Sequence, residues 1–450
     1  MSRQLANLPR PAIFLSLLIF LLLSVGTSAQ TSTVTYEVVL PSLNPDLSLL
    51  AEENLPVLSD RLMLAFGRDY GTYLMNHQGR SLHEGMAVYY LRQELQGFID
   101  MWRATGKSAY LSQAKILSLQ AIHEATAQPL PLLWHGEFQG AWPCFYLESV
   151  QAQTGGHNQL CDFQGAAGFL MVARALRQLN EPEWKEIADF VEGQVVKKWL
   201  FYKPSITSDQ LTGSKSDRYI LTVLNAARDV REHFAGICLD LHQLGYRDYP
   251  YRQWGELLID LYLTPRYDPN EAAPHQAELL DRVPGNWGLF VHTTPEGDIW
   301  LSVPNYDPNK PGEPMDTSHS NRTVWLAARA HSEGLIDSYV INGLVNTLRF
   351  EVWAPEKGPF YFNNYVDGSD GEMNGLLNGR GGNVWFGWHR LAAYDEDLAI
   401  LFLSMAYDLT DGGENLPEGA QNKAMVNAAT CLEAWATRLL AAQGQPLVFP

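Results

Sequence analysis

Residues 86–125 read MAVYYLRQELQGFIDMWRATGKSAYLSQAKILSLQAIHEA. Over 86–102 the apolar positions recur every three or four residues, the period of a helix with one buried face. Ala104-Thr105-Gly106-Lys107 interrupts the pattern and 110–125 resumes it at once. A glycine that ends one helix, with the next beginning directly, predicts a helix–short turn–helix unit. The unit recurs. Residues 163–179 pair with 184–199, 218–244 (broken or kinked near Gly236) with 251–262, 321–331 with 336–352, and 391–407 with 421–442. Inner members carry small residues, among them Ala166, Ala167, Ala226, Ala227, Ala327 and Ala328, which let helices approach closely.

Consecutive antiparallel pairs, each covering its neighbour, predict an all-α chain built as an α/α toroid, an incomplete barrel of helix pairs. The pairs differ in length, so no fixed-period repeat array is expected. Two stretches break the helical pattern: 288–303 alternates around Thr294-Pro295-Glu296-Gly297-Asp298 and predicts a β-hairpin insertion, and 358–388 is rich in loop residues. Residues 33–40 alternate in a strand-like way.

Arg3 and Arg10 flank the start of an apolar run over 13–25, and Gly26-Thr27-Ser28-Ala29 is a small-residue tail. That order predicts a signal peptide over 1–29 cleaved after Ala29, leaving 30–450 as one exported catalytic domain, secreted or periplasmic. Export permits disulfides among Cys144, Cys161, Cys238 and Cys431, with Cys144 and Cys161 the nearest pair. Lys and Arg number 32 against 50 Asp and Glu, a net charge of −18. A chain this acidic is a poor partner for nucleic acid or an anionic membrane. The sequence does not fix the oligomeric state.

The sharpest constellation is Asp316-Thr317-Ser318-His319-Ser320-Asn321-Arg322 at a predicted helix start. Asp316 or Ser318 can cap the helix, which places His319 in the first turn, where the helix dipole favours a neutral imidazole. Trp134-His135-Gly136-Glu137-Phe138-Gln139 alternates aromatic, basic, acidic and amide side chains, as a polar groove with stacking surfaces does. Trp385-Phe386-Gly387-Trp388-His389-Arg390 adds aromatics and a guanidinium, Asn363-Asn364-Tyr365 a loop phenol, and Ser216-Asp217-Arg218-Tyr219 another. Each has a structural alternative: a well-capped helix, a packed aromatic loop, a core plug. No Walker loop, dinucleotide fingerprint, nucleophile elbow or HExxH occurs. No cofactor is expected. Asp367–Glu372 is acidic enough for a structural calcium but lacks the EF-hand spacing. Asn321-Arg322-Thr323 is formally a glycosylation sequon, expected to be unmodified.

Helix pairs, Asp-Thr-Ser-His at an inner helix start, and loops rich in aromatics, His and Arg resemble the α/α-toroid polysaccharide lyases that cleave alginate, glucuronan and related uronic-acid polymers. The resemblance implies β-elimination on an acidic polysaccharide: a proton leaves C5 of a uronate and the bond from C4 to its oxygen breaks. It implies His319 as base or neutraliser, Asn321 and Arg390 on the carboxylate, and Tyr365 as proton donor with Tyr219 in reserve. His135 and Glu137 complete the catalytic set. Trp134 and Trp388 are stacking surfaces, and Gln139, Asn364, Arg380 and Arg322 are further substrate contacts. No adjacent Asn-His opens an inner helix, as it does in some of these lyases; His157-Asn158 has the reverse order.

Three rivals remain. A glycoside hydrolase on the same scaffold needs two facing carboxylates, and Glu137, Asp162, Asp316 and Asp395 are available. A uronate C5-epimerase shares the proton abstraction without shortening the chain. A non-catalytic glycan-binding protein would use the aromatics alone.

Overall fold

A computed structural model describes residues 81–82, 85–125, 158–201, 228–268, 287–305, 313–358, 360–370, 384 and 387–411. All fall in the second of two units, Met1–Val39 and Leu40–Pro450. The expected signal peptide, the strand-like 33–40 and the last helix at 421–442 lie outside them.

The described residues are mostly helical, with one small three-stranded sheet. In chain order come α1 (Gly85–Thr105), α2 (Ser108–His123), α3 (Gln159–Gln178) and α4 (Trp184–Phe190). A π-helical stretch (Val191–Val196) leads from α4 into α5 (Lys197–Phe201). Next are α6 (Arg228–Gln243), α7 (Tyr251–Leu263), β1 (Pro265–Arg266), β2 (Leu289–Thr293) and β3 (Ile299–Ser302). The set ends with α8 (Thr317–Ser332), α9 (Ser338–Asn346) with its π-helical extension (Thr347–Val352), a 3-10 turn (Trp388–Ala393) and α10 (Glu396–Asp411).

Local chemistry sets these limits. Asn158, Asp316 and Asp337 each accept a backbone N–H from the turn that follows, capping α3, α8 and α9. Gly106, at φ 68°, turns the chain out of α1 while its N–H bonds Trp102 O at 2.7 Å. The hairpin forms where alternation predicts it, β2 pairing antiparallel with β3 and β1 adding in parallel beside β2.

Side-chain contacts fix the helix order. Gly165 and Gly168 of α3 lie against Val88 and Arg92 of α1. Gln164 and Arg174 of α3 meet His233 and Asp240 of α6, and Glu232 and Asp240 of α6 meet Thr323 and Arg329 of α8. Residue numbers rise together in every pair, so α1, α3, α6 and α8 run parallel. Against α6, by contrast, Tyr262 lies at Arg228 and Gly255 at Leu239, so α7 runs antiparallel to it. The described residues of α3 and α6 are buried almost all round, whereas α2 and α7 bury one face. α6 is continuous through Gly236, so the helix is not broken there. A Cβ there would meet the Trp325 ring at 2.9 Å, so the glycine serves close packing.

Cys161 is disulfide-bonded to a partner outside the described residues. Cys238 is free and buried in α6, its thiol pushed well up by burial and then by the charge of Asp240. With one of four cysteines free, the chain can close at most one internal disulfide, which removes every two-bridge pairing.

Candidate functional site

The first turns of the parallel helices bring polar groups to one end of the bundle. Arg322 of α8 is the hub. Its Nη2 donates to Tyr89 Oη at 2.7 Å and to Gln164 Oε1 at 2.9 Å, and its Nε donates to His233 Nε2 at 3.0 Å. Asp229 Oδ2 lies 3.8 Å from Nη1. Gln164 Nε2 donates to the Tyr89 carbonyl at 2.8 Å, which fixes the amide's orientation. Arginine nitrogens only donate, so His233 Nε2 accepts in the Arg322 bond; the same nitrogen lies 3.1 Å from Gln164 Oε1, a contact that would need the proton on Nε2 instead. Burial first, then the charges of Arg92 and Arg322, push His233 well below the ordinary imidazole range. Arg92 is itself lowered to about 9, by burial and then by Arg322 and Arg390. Arg322 is held above the ordinary guanidinium value: burial opposes its charge, but Tyr89, Asp229 and Glu232 outweigh it, so this end carries both signs of charge.

Three residues before Arg322, His319 sits on the same face of α8, about 4.5 Å along the axis. Its Nδ1 lies 2.6 Å from Asp316 Oδ2. The other carboxylate oxygen, Oδ1, caps the helix by accepting the Ser318 and His319 N–H groups, both at 3.0 Å. Burial opposes charge on Asp316, but the bonds and charge from His319 and the bond from Ser318 hold it below the ordinary carboxylate range. Asp316 also pairs its backbone with Tyr365, and Thr317 N donates to Asn364 O at 2.8 Å. The loop bearing Tyr365, which is half-buried, is thus laid along the start of α8.

Compared with known proteins, the chain matches no family model, no curated protein and no solved structure. Its chemistry is therefore argued from the site alone.

The expected residues separate into three groups. Asp316, His319, Arg322, Asn364 and Tyr365 come together at the start of α8. Arg322 and Asn364 are buried there, at 4% and 4% exposure, so both act as supports and not as the open substrate contacts expected. A second group is packed into the interior. Trp388 is fully buried and its Nε1 donates to Thr317 O at 3.0 Å; it plugs the core instead of offering a stacking face. Arg390 holds a carboxylate as expected, but an internal one: its Nη2 bonds Asp100 Oδ1 at 2.8 Å, linking the 3-10 turn to α1. Asn321 is 1% exposed under the Gly387 backbone, which leaves no room for a glycan and none for a substrate carboxylate. The third group, Trp134, His135, Glu137, Gln139, Tyr219 and Arg380, lies outside the described residues.

The stretch read for calcium lies only partly within the described residues. Asp370 takes the Lys357 ammonium at 2.8 Å and the Tyr361 hydroxyl at 3.0 Å, while Asp367 caps Ser369; Glu372 lies outside the described residues. Among the described residues no group of three possible metal ligands occurs.

Tyr89, His233 and Gln164 are the polar residues that the sequence reading missed. Each sits inside a stretch whose apolar period predicts packing only. A usable signal was present in α6, where Arg228, Asp229, Arg231, Glu232 and His233 crowd the opening of a helix that must be central.

Proposed function

We propose that the chain is an exported polysaccharide lyase that cleaves a uronic-acid polymer by β-elimination, on an α/α toroid whose site lies at the first turns of the inner helices. The observation carrying this reading is the Asp316–His319 pair at the mouth, with Arg322 and Tyr89 one turn deeper. The parallel inner order, with α7 antiparallel outside, supports the toroid.

His319 takes the C5 proton through Nε2, since Nδ1 is turned to Asp316. The electron pair left at C5 forms the C4–C5 double bond as the bond from C4 to its oxygen breaks. Tyr89 gives its proton to that oxygen. Arg322 bonds the phenol oxygen, which leaves the phenolic proton for the substrate and steadies the charge that remains. Arg322 and Arg92 supply the positive field that opposes the uronate carboxylate's charge. Tyr365 lines the mouth beside His319.

The hydrolase reading finds less support. Asp162 is buried against Lys198 Nζ (2.5 Å) and Trp199 Nε1 (2.7 Å), Asp316 holds His319, and Asp395 caps α10 and pairs with Arg349 at 3.2 Å. Each of these three is committed to a separate structural contact; Glu137, the fourth carboxylate, lies outside the described residues. The test is the ultraviolet absorbance of the unsaturated uronate, followed over time on alginate, glucuronan, pectate and glycosaminoglycans. A rise on one polymer that His319→Ala and Tyr89→Phe each reduce by about 10²- to 10⁴-fold supports the assignment. New reducing ends without that absorbance would replace it with hydrolysis.

A further inference from the structure

Away from this site, α7 and the start of α9 flank a groove of about 720 Å³, within the roughly 300–1,000 Å³ usual for ligand sites. Leu257 and Leu335 give it an apolar floor, and Gln253 and Thr264 add hydrogen-bonding groups. Three carboxylates line it: Glu256, Asp260 and Asp337. No Lys or Arg does. Glu256 is shared with Arg252 Nε at 2.6 Å, while Asp260 and Asp337 have no cationic partner among the described residues. Asp260 accepts only from Thr264 Oγ1 at 3.2 Å, and Asp337 accepts the Tyr339 N–H that it caps.

Two phenols stand at the groove. Tyr339 lines it, and its hydroxyl is 3.5 Å from that of Tyr267, which at 77% is the most exposed large hydrophobic side chain among the described residues. Burial, the bond with Tyr267 and the charges of Tyr267 and Asp337 push the Tyr339 phenol up to about 12. The local field therefore resists further negative charge.

We infer that this groove is a second binding site, for a sugar chain bearing free amines. Uncompensated carboxylates beside exposed aromatic faces suit an ammonium group, by charge and by cation–π attraction. The flat phenol faces, the Gln253 amide and the Thr264 hydroxyl suit sugar rings and hydroxyls better than a peptide backbone. The same carboxylates exclude the acidic polymer proposed for the first site, so the two sites differ in kind.

Isothermal titration of the full mature chain with a glucosamine tetramer, its N-acetylated counterpart and tetralysine tests this. Saturable binding of the glucosamine tetramer is expected, weaker by at least about tenfold for the N-acetylated form, for Tyr267→Ala and for Asp260→Asn/Asp337→Asn. Thermal melts confirm that the variants fold. Equal binding of both tetramers would remove the charge argument, equal or tighter binding of tetralysine would remove the sugar, and binding unchanged in the variants, or absent throughout, would overturn the site. None of these readouts depends on lyase activity.

Discussion

Asp316 does two jobs with two oxygens: one ends the unsatisfied N–H groups of α8, the other holds His319. The two can be separated. Asp316→Ala should cost about 1–2 kcal/mol in urea unfolding through the lost cap, and activity should fall with it. Asp316→Asn keeps a capping oxygen, so stability should change little while activity falls as far. Arg322→Met should be costlier, about 3–5 kcal/mol, because it strands buried partners of the guanidinium. His233 predicts a pH dependence. Its folded value is well below the ordinary 6.5, so the unfolded chain binds the proton first. Stability is then full above pH 6.5 and falls on acidification, by up to about 1.4 kcal/mol per pH unit from this group. His233→Gln should flatten that slope. Asp316, held below the ordinary 3.8, adds a second loss only as pH falls beneath that value. Unfolding measured from pH 8 to 3 would show both stages or neither.

Helices were legible because apolar period is a local property. Residues 251–262 were read where α7 spans Tyr251–Leu263, and 86–102 with 110–125 where α1 and α2 stand. The apolar period alone starts α8 at Asn321 because its first turn is polar; the cap expected at Asp316 or Ser318 is Asp316, and it marks the start at Thr317. What each helix touches was not legible. Trp388 and Arg390 look like ligand contacts in sequence, and only the 3-10 turn shows that they face Thr317 and Asp100. That turn makes its own prediction. A Cβ on Gly387 would collide with the Asn321 carbonyl and backbone, against which no flexible side chain can give way. Gly387→Ala should therefore destabilise the chain by several kcal/mol, about 3 or more, and displace the turn from α8; a neutral melt would show that the contact is slack.

At the scale of the molecule, much of the ionisable chemistry is internal. Eight of the 32 Lys and Arg residues are buried among the described residues: Arg92, Lys198, Arg228, Arg231, Arg266, Arg322, Arg329 and Arg390. Seven carboxylates are buried beside them, Asp100, Asp162, Glu192, Asp229, Glu232, Asp240 and Asp316, so the described interior is nearly balanced, 8 − 7 = +1, and the chain's −18 is carried almost entirely outside it. The cysteines allow a direct count. One disulfide leaves 4 − 2 = 2 thiols. Alkylation of the native chain should miss Cys238, and unfolding without reductant should add Cys238 to the labelled set, two labels in all by mass spectrometry. Labelling of native Cys238 would mean that α6 opens far more readily than its burial implies.

The sealed thiol of Cys238 also sets a deadline. While the chain is unfolded, all four cysteines are equivalent partners for oxidation, and three of the six possible pairs include Cys238. Only the packing of α6 between α3, α7 and α8 withdraws it from that competition. Oxidation that outruns this packing traps the chain in a bridge the native helix cannot hold, whereas slow oxidation lets burial sort the sulfurs first. Yield on refolding should therefore depend on how quickly oxidant is supplied, and a Cys238→Ala chain should tolerate haste.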